Sequence, residues 1–114
     1  MSIEFIPGPG SHDREAVLKA ILLERERQIE EEGFVASHDN HHADGDLARA
    51  AACYAMPENW REFTPGSYDL PLAWPWGDNW WKPGERRREL IKAAALIVAE
   101  LERMARTEVK AKPT

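Results

Sequence analysis

The sequence predicts an all-α fold: a single-domain helical bundle with three main helices and a long Trp/Pro-rich loop. Two observations predict it. Apolar residues recur at three- and four-residue steps in separate stretches, so that each stretch lines one face of a helix. The chain has 114 residues, enough for one domain with a real core and lean enough that a dimer interface would help it.

Taken in order, residues 1–12 read as an arm, because the run IPGPG from Ile6 to Gly10 cannot continue a regular element. A first helix is expected over residues 13–32, capped by Ser11 or Asp13 and stopped by Gly33. Ala16, Val17, Ala20, Leu23 and Ile29 make its apolar stripe, while Glu24, Glu26, Arg27, Gln28, Glu30, Glu31 and Glu32 crowd its second half. That charge run is either a solvated, ion-paired helix end or part of a ligand cluster. A second helix is expected over residues 44–56, with Asp44 able to cap it, Leu47, Ala50, Ala51 and Tyr54 on one face, and Pro57 as its stop.

Residues 57–83 show no sustained period but hold Trp60, Phe63, Tyr68, Trp74, Trp76, Trp80 and Trp81. Loops of this length inside a compact domain are often lids or binding loops. Either two or three of the rings plug the open side of the bundle, Trp74 and Trp76 foremost, or they offer flat faces to a nucleobase. The third helix is expected over residues 84–106, entered through Pro83 and Gly84. Leu90, Ala94, Ile97, Val98, Leu101 and Met104 line one face of it, and that face must be covered. The run from Ala93 to Ala95 lets a partner helix approach closely, so a homodimer through the alanine-rich faces is expected. Residues 107–114 read as a mobile polar tail.

The formal charge of −5 is modest and built from mixed signs, which argues against a nucleic-acid or membrane-surface binder. No apolar run is long enough to span a bilayer, and residues 1–10 lack the basic start and apolar middle of a signal peptide, so a cytoplasmic location is expected. The single cysteine, Cys53, sits among alanines and reads as a small buried hydrophobe.

The densest group of possible ligands is SHDNHHADGD, which places His38, Asp39, His41, His42, Asp44 and Asp46 within ten positions. Imidazole suits transition metals, and carboxylate suits magnesium or manganese. The spacing matches no zinc motif, and each acidic residue has an alternative as a helix cap or dipole partner. Trp80, Trp81 and Lys82 stand close to Arg86, Arg87 and Arg88, a combination of aromatic and cation that suits a phosphate and a base.

The ordered set ERERQIEEEG, HDNHHADGDLARAAACYA, WPWGDNWWKP and RRRELIKAAALIVAELER resembles small uncharacterised helical proteins of tailed phages and prophages. The resemblance spans residues 24–103 and rests on Glu24, Arg27, Gln28, Glu32, Gly33, His38, Asp39, His42, Gly45, Asp46, Leu47 and Ala48, with Asp46 standing where the pattern has glutamate. It implies no activity by itself. In layout alone the chain is also similar to the MazG-like all-α nucleotide pyrophosphohydrolases, usually oligomeric enzymes that hold magnesium with acidic side chains on facing helices. This chain departs from their pattern: an EExxE motif is not cleanly present, and Glu89 to Lys92, ELIK, ends in lysine where ExxD would end in aspartate.

Three functions follow as expectations. The first is a phage-type nucleotide-binding protein, with metal-dependent triphosphate pyrophosphohydrolase chemistry as its extension. Magnesium or manganese would sit among Glu24, Glu32, His38, Asp39, His42 and Asp46; Arg86 and Lys92 would hold phosphates; Trp80 or Trp81 would cover the base. The second is a host-takeover or anti-defence protein that binds a bacterial protein without catalysis, through the acidic helix and the aromatic loop. The third, a hydrolase of the HD type suggested by His38-Asp39, needs a longer helical domain than this chain provides.

Overall fold

The computed structural model describes residues 11–32, 45–67 and 69–111. Among them the fold is all-α, with three helices: α1 (Ser11–Glu32), α2 (Asp46–Ala55) and α3 (Arg86–Ala111). α1 and α2 both pack on α3, which makes α3 the hub. No helix among the described residues is long and apolar enough to cross a membrane.

At about 100° per residue, the side chains of α3 divide into three faces. Ala93, Leu96 and Ala99 join Leu47, Ala50, Ala51, Cys53 and Tyr54 of α2, with Trp74 and Trp81, in one buried cluster. A second face meets α1: Arg88 pairs with Glu24, the Lys92 carbonyl receives Gln28, and Glu102 pairs with Arg25. Leu90, Ala94, Ile97, Leu101 and Met104 occupy the remaining third. Four of these five are exposed, Leu101 by 57 %.

Several expectations are corrected here. The large apolar stripe of the third helix is not its covered face, because the alanine face docks α2 at short range and carries the core instead. The alanine-rich faces of α2 and α3 are therefore occupied within one chain. The polar second half of α1 is solvated on one side only: Glu26, Glu30 and Glu31 are exposed and Arg27 pairs with Glu31, but Glu24, Arg25 and Gln28 are buried, while Leu23 from the expected apolar stripe is exposed. α3 also continues five residues past 106, as good helix formers such as Ala105, Arg106 and Ala111 allow. α2 begins after Gly45, which holds the N-cap position in a left-handed conformation, φ 86°, with no side-chain cap; Asp44, the expected cap, lies outside the described residues.

Residues 57–67 and 69–83 belong to the segment that joins α2 to α3. A turn at Thr64–Ser67 closes with Ser67 N–H donating to the Thr64 carbonyl at 2.9 Å. Pro65 fixes the first central position and Gly66, at φ 83°, supplies the left-handed second one, the signature of a type II turn. One antiparallel bridge, Phe63 to Pro71, follows, and one-turn 3₁₀ segments lie at Glu58–Trp60 and Asp78–Trp80. The tryptophans then close over α2: Trp81 stacks on Tyr54 with centroids 4.6 Å apart, Trp74 meets Tyr54 edge-on at 5.6 Å, and Trp76 meets Trp74 edge-on at 5.4 Å.

Candidate functional site

Where α1, α3 and the tryptophan loop meet, Glu24, Arg27, Gln28, Tyr54, Trp76, Trp80 and Lys92 surround a narrow polar crevice with about 10 Å³ of interior space. That is room for about one water molecule. Glu24 is at its base, gripped by Arg27 through two contacts of 2.9 and 2.7 Å and by Arg88 at 2.5 Å. Burial alone would raise the Glu24 carboxyl; the hydrogen bonds and charge of Arg27, with those of Arg88, outweigh it and hold the group below its ordinary range.

Gln28, only 2 % exposed, sits one turn further along α1. Its Nε2 lies 3.5 Å from the Lys92 carbonyl, and its Oε1 has no hydrogen-bond partner among the described residues. The carbonyl favours this orientation of the amide, because the reverse placement would oppose two acceptors. Lys92 donates to the Lys82 carbonyl at 2.8 Å and places Nζ 5.4 Å from the Tyr54 ring centroid. Tyr54 in turn accepts the Lys82 N–H at 3.0 Å. Trp80 forms the outer wall, with the Lys82 ammonium 5.7 Å from its ring.

A second buried carboxylate lies at the end of α2. Glu89 accepts from Arg61 at 3.0 Å and from the Gly84 N–H at 3.1 Å, with Arg86 at 3.5 Å. Arg61 also donates to the Cys53 and Tyr54 carbonyls, and Arg86 donates to those of Tyr54, Ala55 and Met56. The two guanidiniums thus satisfy carbonyls that the last turn of α2 leaves open. Here too burial raises the carboxyl, and Arg61, the Gly84 N–H and Arg86 together bring it below its ordinary range. Nothing in the local sequence marks Arg61 for this role.

The expected site residues therefore separate. Glu24, Lys92 and Trp80 come together at the crevice. Arg86 is committed to the α2 carbonyls, which accounts for its position better than a phosphate does. Trp81 is a core residue: Tyr54 stacks on its ring and the Arg61 guanidinium lies 5.2 Å from its centroid, so it has no open face for a base. Asp46 stands in the first turn of α2 with Arg49 at 3.6 Å. His38, Asp39, His42 and the side chain of Glu32 lie outside the described residues.

Magnesium or manganese needs several carboxylate oxygens free to coordinate. Glu24 and Glu89 are instead held by arginines and Glu100 is paired with Arg103, and no three His, Cys, Asp or Glu side chains among the described residues are grouped to hold an ion. Among the described residues, then, Glu24 is taken up by its arginines rather than open to a cation.

On the opposite side of α2, Cys53, Met56, Trp60, Arg61, Pro71 and Leu72 line an apolar cleft of about 280 Å³. Trp60 is 71 % exposed at its rim. Burial pushes the Cys53 thiol up, only partly offset by Arg49 and Arg61, so the thiol is uncharged and packs as an apolar group. Comparison with protein-family models, curated proteins and solved structures gives no match, so the reading of both surfaces rests on their own geometry.

Proposed function

We propose that the crevice is the anchoring end of a nucleotide-binding site. The observation that supports this reading is the buried, unpartnered Oε1 of Gln28, set among two cationic side chains and an indole wall. A buried acceptor without a donor costs about 1–3 kcal/mol, which a ligand N–H or a water relieves. An amino group on a base edge is such a donor, Trp80 is the stacking surface, and Lys92 supplies positive charge for phosphate, Arg27 being held by Glu24 and Glu31. The base enters by outward rotation of Trp80, since the closed crevice holds about one water.

The test is thermal unfolding of the full chain against nucleoside mono-, di- and triphosphates, each with and without magnesium or manganese. At a hundredfold excess over the dissociation constant, a ligand stabilises the native state by about 2.7 kcal/mol, a rise of roughly 10 °C or more for a domain of this size. Nucleotide stabilisation that disappears in Lys92→Met and Gln28→Leu supports the site. A flat panel overturns it. The exposed Trp60 beside the apolar cleft favours the second reading, a host-protein binder without catalysis, because tryptophan at a pocket rim is a common interface anchor. Stoichiometric capture of one bacterial protein, lost in Trp60→Ala, would then be the expected result.

A further inference from the structure

The third face of α3 has the features of an interface. Leu90, Ala94, Ile97, Leu101 and Met104 follow one another at steps of four, three, four and three, the spacing that keeps a seam on one side of a helix over several turns. The other two faces are filled by α1 and α2, so nothing in the described fold covers this one. Along its α1 edge runs an apolar groove of about 370 Å³ lined by Val17, Ala20, Ile21, Leu90, Ile91 and Ala94. Leu18 and Leu22, also exposed, share a face of α1 with Arg25, whose partner Glu102 is the neighbour of Leu101. The half-exposed side chains on α3 and α1 amount to roughly 500 Å² of apolar surface, near the top of what a monomer's largest patch shows. An interface typically takes about 800 Å² from each partner with such a patch at its centre.

We infer that this face binds a second copy of the chain, with the two α3 helices antiparallel about a two-fold axis at Ile97. A parallel pair would set Arg87 against Arg87 and Glu108 against Glu108, so the antiparallel one is favoured. Ile97 meets its own copy on the axis, while Leu90 meets Met104 of the second copy and the small Ala94 meets the large Leu101, these two contacts each occurring twice as a two-fold axis requires. Charge agrees with the same register. Arg87 at the start of the seam falls opposite Glu108 of the second copy, and the two are about 30 Å apart within one helix, too far to pair internally. The inference does not depend on the ligand reading, because the crevice is built from one chain on other faces of α3.

Sedimentation of the full chain at micromolar concentration tests it. The expected result is twice the chain mass, reduced to monomer by Ile97→Asp with the helical circular dichroism unchanged. Arg87→Glu and Glu108→Arg should each weaken self-association about tenfold, and mixing the two variants should restore it as a heterodimer, since both pairs are then opposite in sign. A monomer at every concentration overturns the proposal, as does a dimer indifferent to Ile97→Asp. Failure of the mixed variants to recover overturns the antiparallel register. A monomer that dimerises only after removal of residues 1–10 also overturns it, by showing that the chain's own start covers the face.

Discussion

Glu89 and Gln28 are both buried, but their substitutions should behave very differently. Every contact of Glu89 is to a positive or N–H partner, and Glu89→Gln leaves Arg61 buried beside a neutral amide. Removing one member of a buried ion pair costs about 3–5 kcal/mol, and a glutamine that keeps some of the hydrogen bonding should fall near 3. Gln28 has one marginal contact and one unmet acceptor, so Gln28→Leu gives up little. The expected change is within about 1 kcal/mol and of either sign, because an apolar replacement removes the unsatisfied atom. Urea denaturation of the two variants at fixed protein concentration checks both. A large loss in Gln28→Leu would mean that Oε1 already has a donor in the free protein, and the ligand argument would lose its support.

At the scale of elements, the contrast lies between two faces of one helix. Leu96 is buried in the alanine face of α3, and Leu96→Ala should cost about 2–5 kcal/mol at any protein concentration. Leu101, five positions on, is exposed in the single chain, so Leu101→Ala should cost little in dilute solution and more as concentration rises, as linkage to dimerisation requires. Equal, concentration-independent losses would place Leu101 in the intrachain core. This pair also explains what the sequence could and could not convey. Periodicity located all three helices, and Pro57, Pro83 and Gly84 marked their ends within a few residues. It did not say which apolar face of α3 would be covered within the chain, because residue size favours Leu90, Ile97 and Leu101 whereas close helix approach favours Ala93 and Ala99. Burial of Glu24, Arg25 and Gln28 was equally hidden, since the charges that make it tolerable, Arg88 and Glu102, arrive from another helix. Trp80 and Trp81 are adjacent and chemically alike; only the fold of the loop sends one to the crevice and the other to the core.

For the whole molecule, the two buried carboxylates are what tie the hub to its neighbours. Glu24 of α1 reaches Arg88 of α3, and Glu89 of α3 gathers the two arginines that hold the end of α2. Both carboxyls lie below their ordinary value of 4.5 in the folded chain. As pH falls from that value toward the folded ones, the unfolded chain therefore binds more protons than the folded chain, and stability falls with pH. The contribution is complete above the ordinary carboxylate range and is lost progressively below it. Because each carboxylate joins α3 to a different helix, acid should loosen α1 and α2 together and the helical signal should fall in a single transition rather than in two. The measurement is the thermal midpoint from pH 7 down to pH 3, followed both by circular dichroism and by tryptophan fluorescence, to which the Trp74 and Trp81 cluster on α2 contributes. In Glu89→Gln the midpoint should start lower and decline less steeply, since one of the two titrating groups is gone. A wild-type midpoint that stays level to pH 3 would show that neither pair contributes to holding the three helices together.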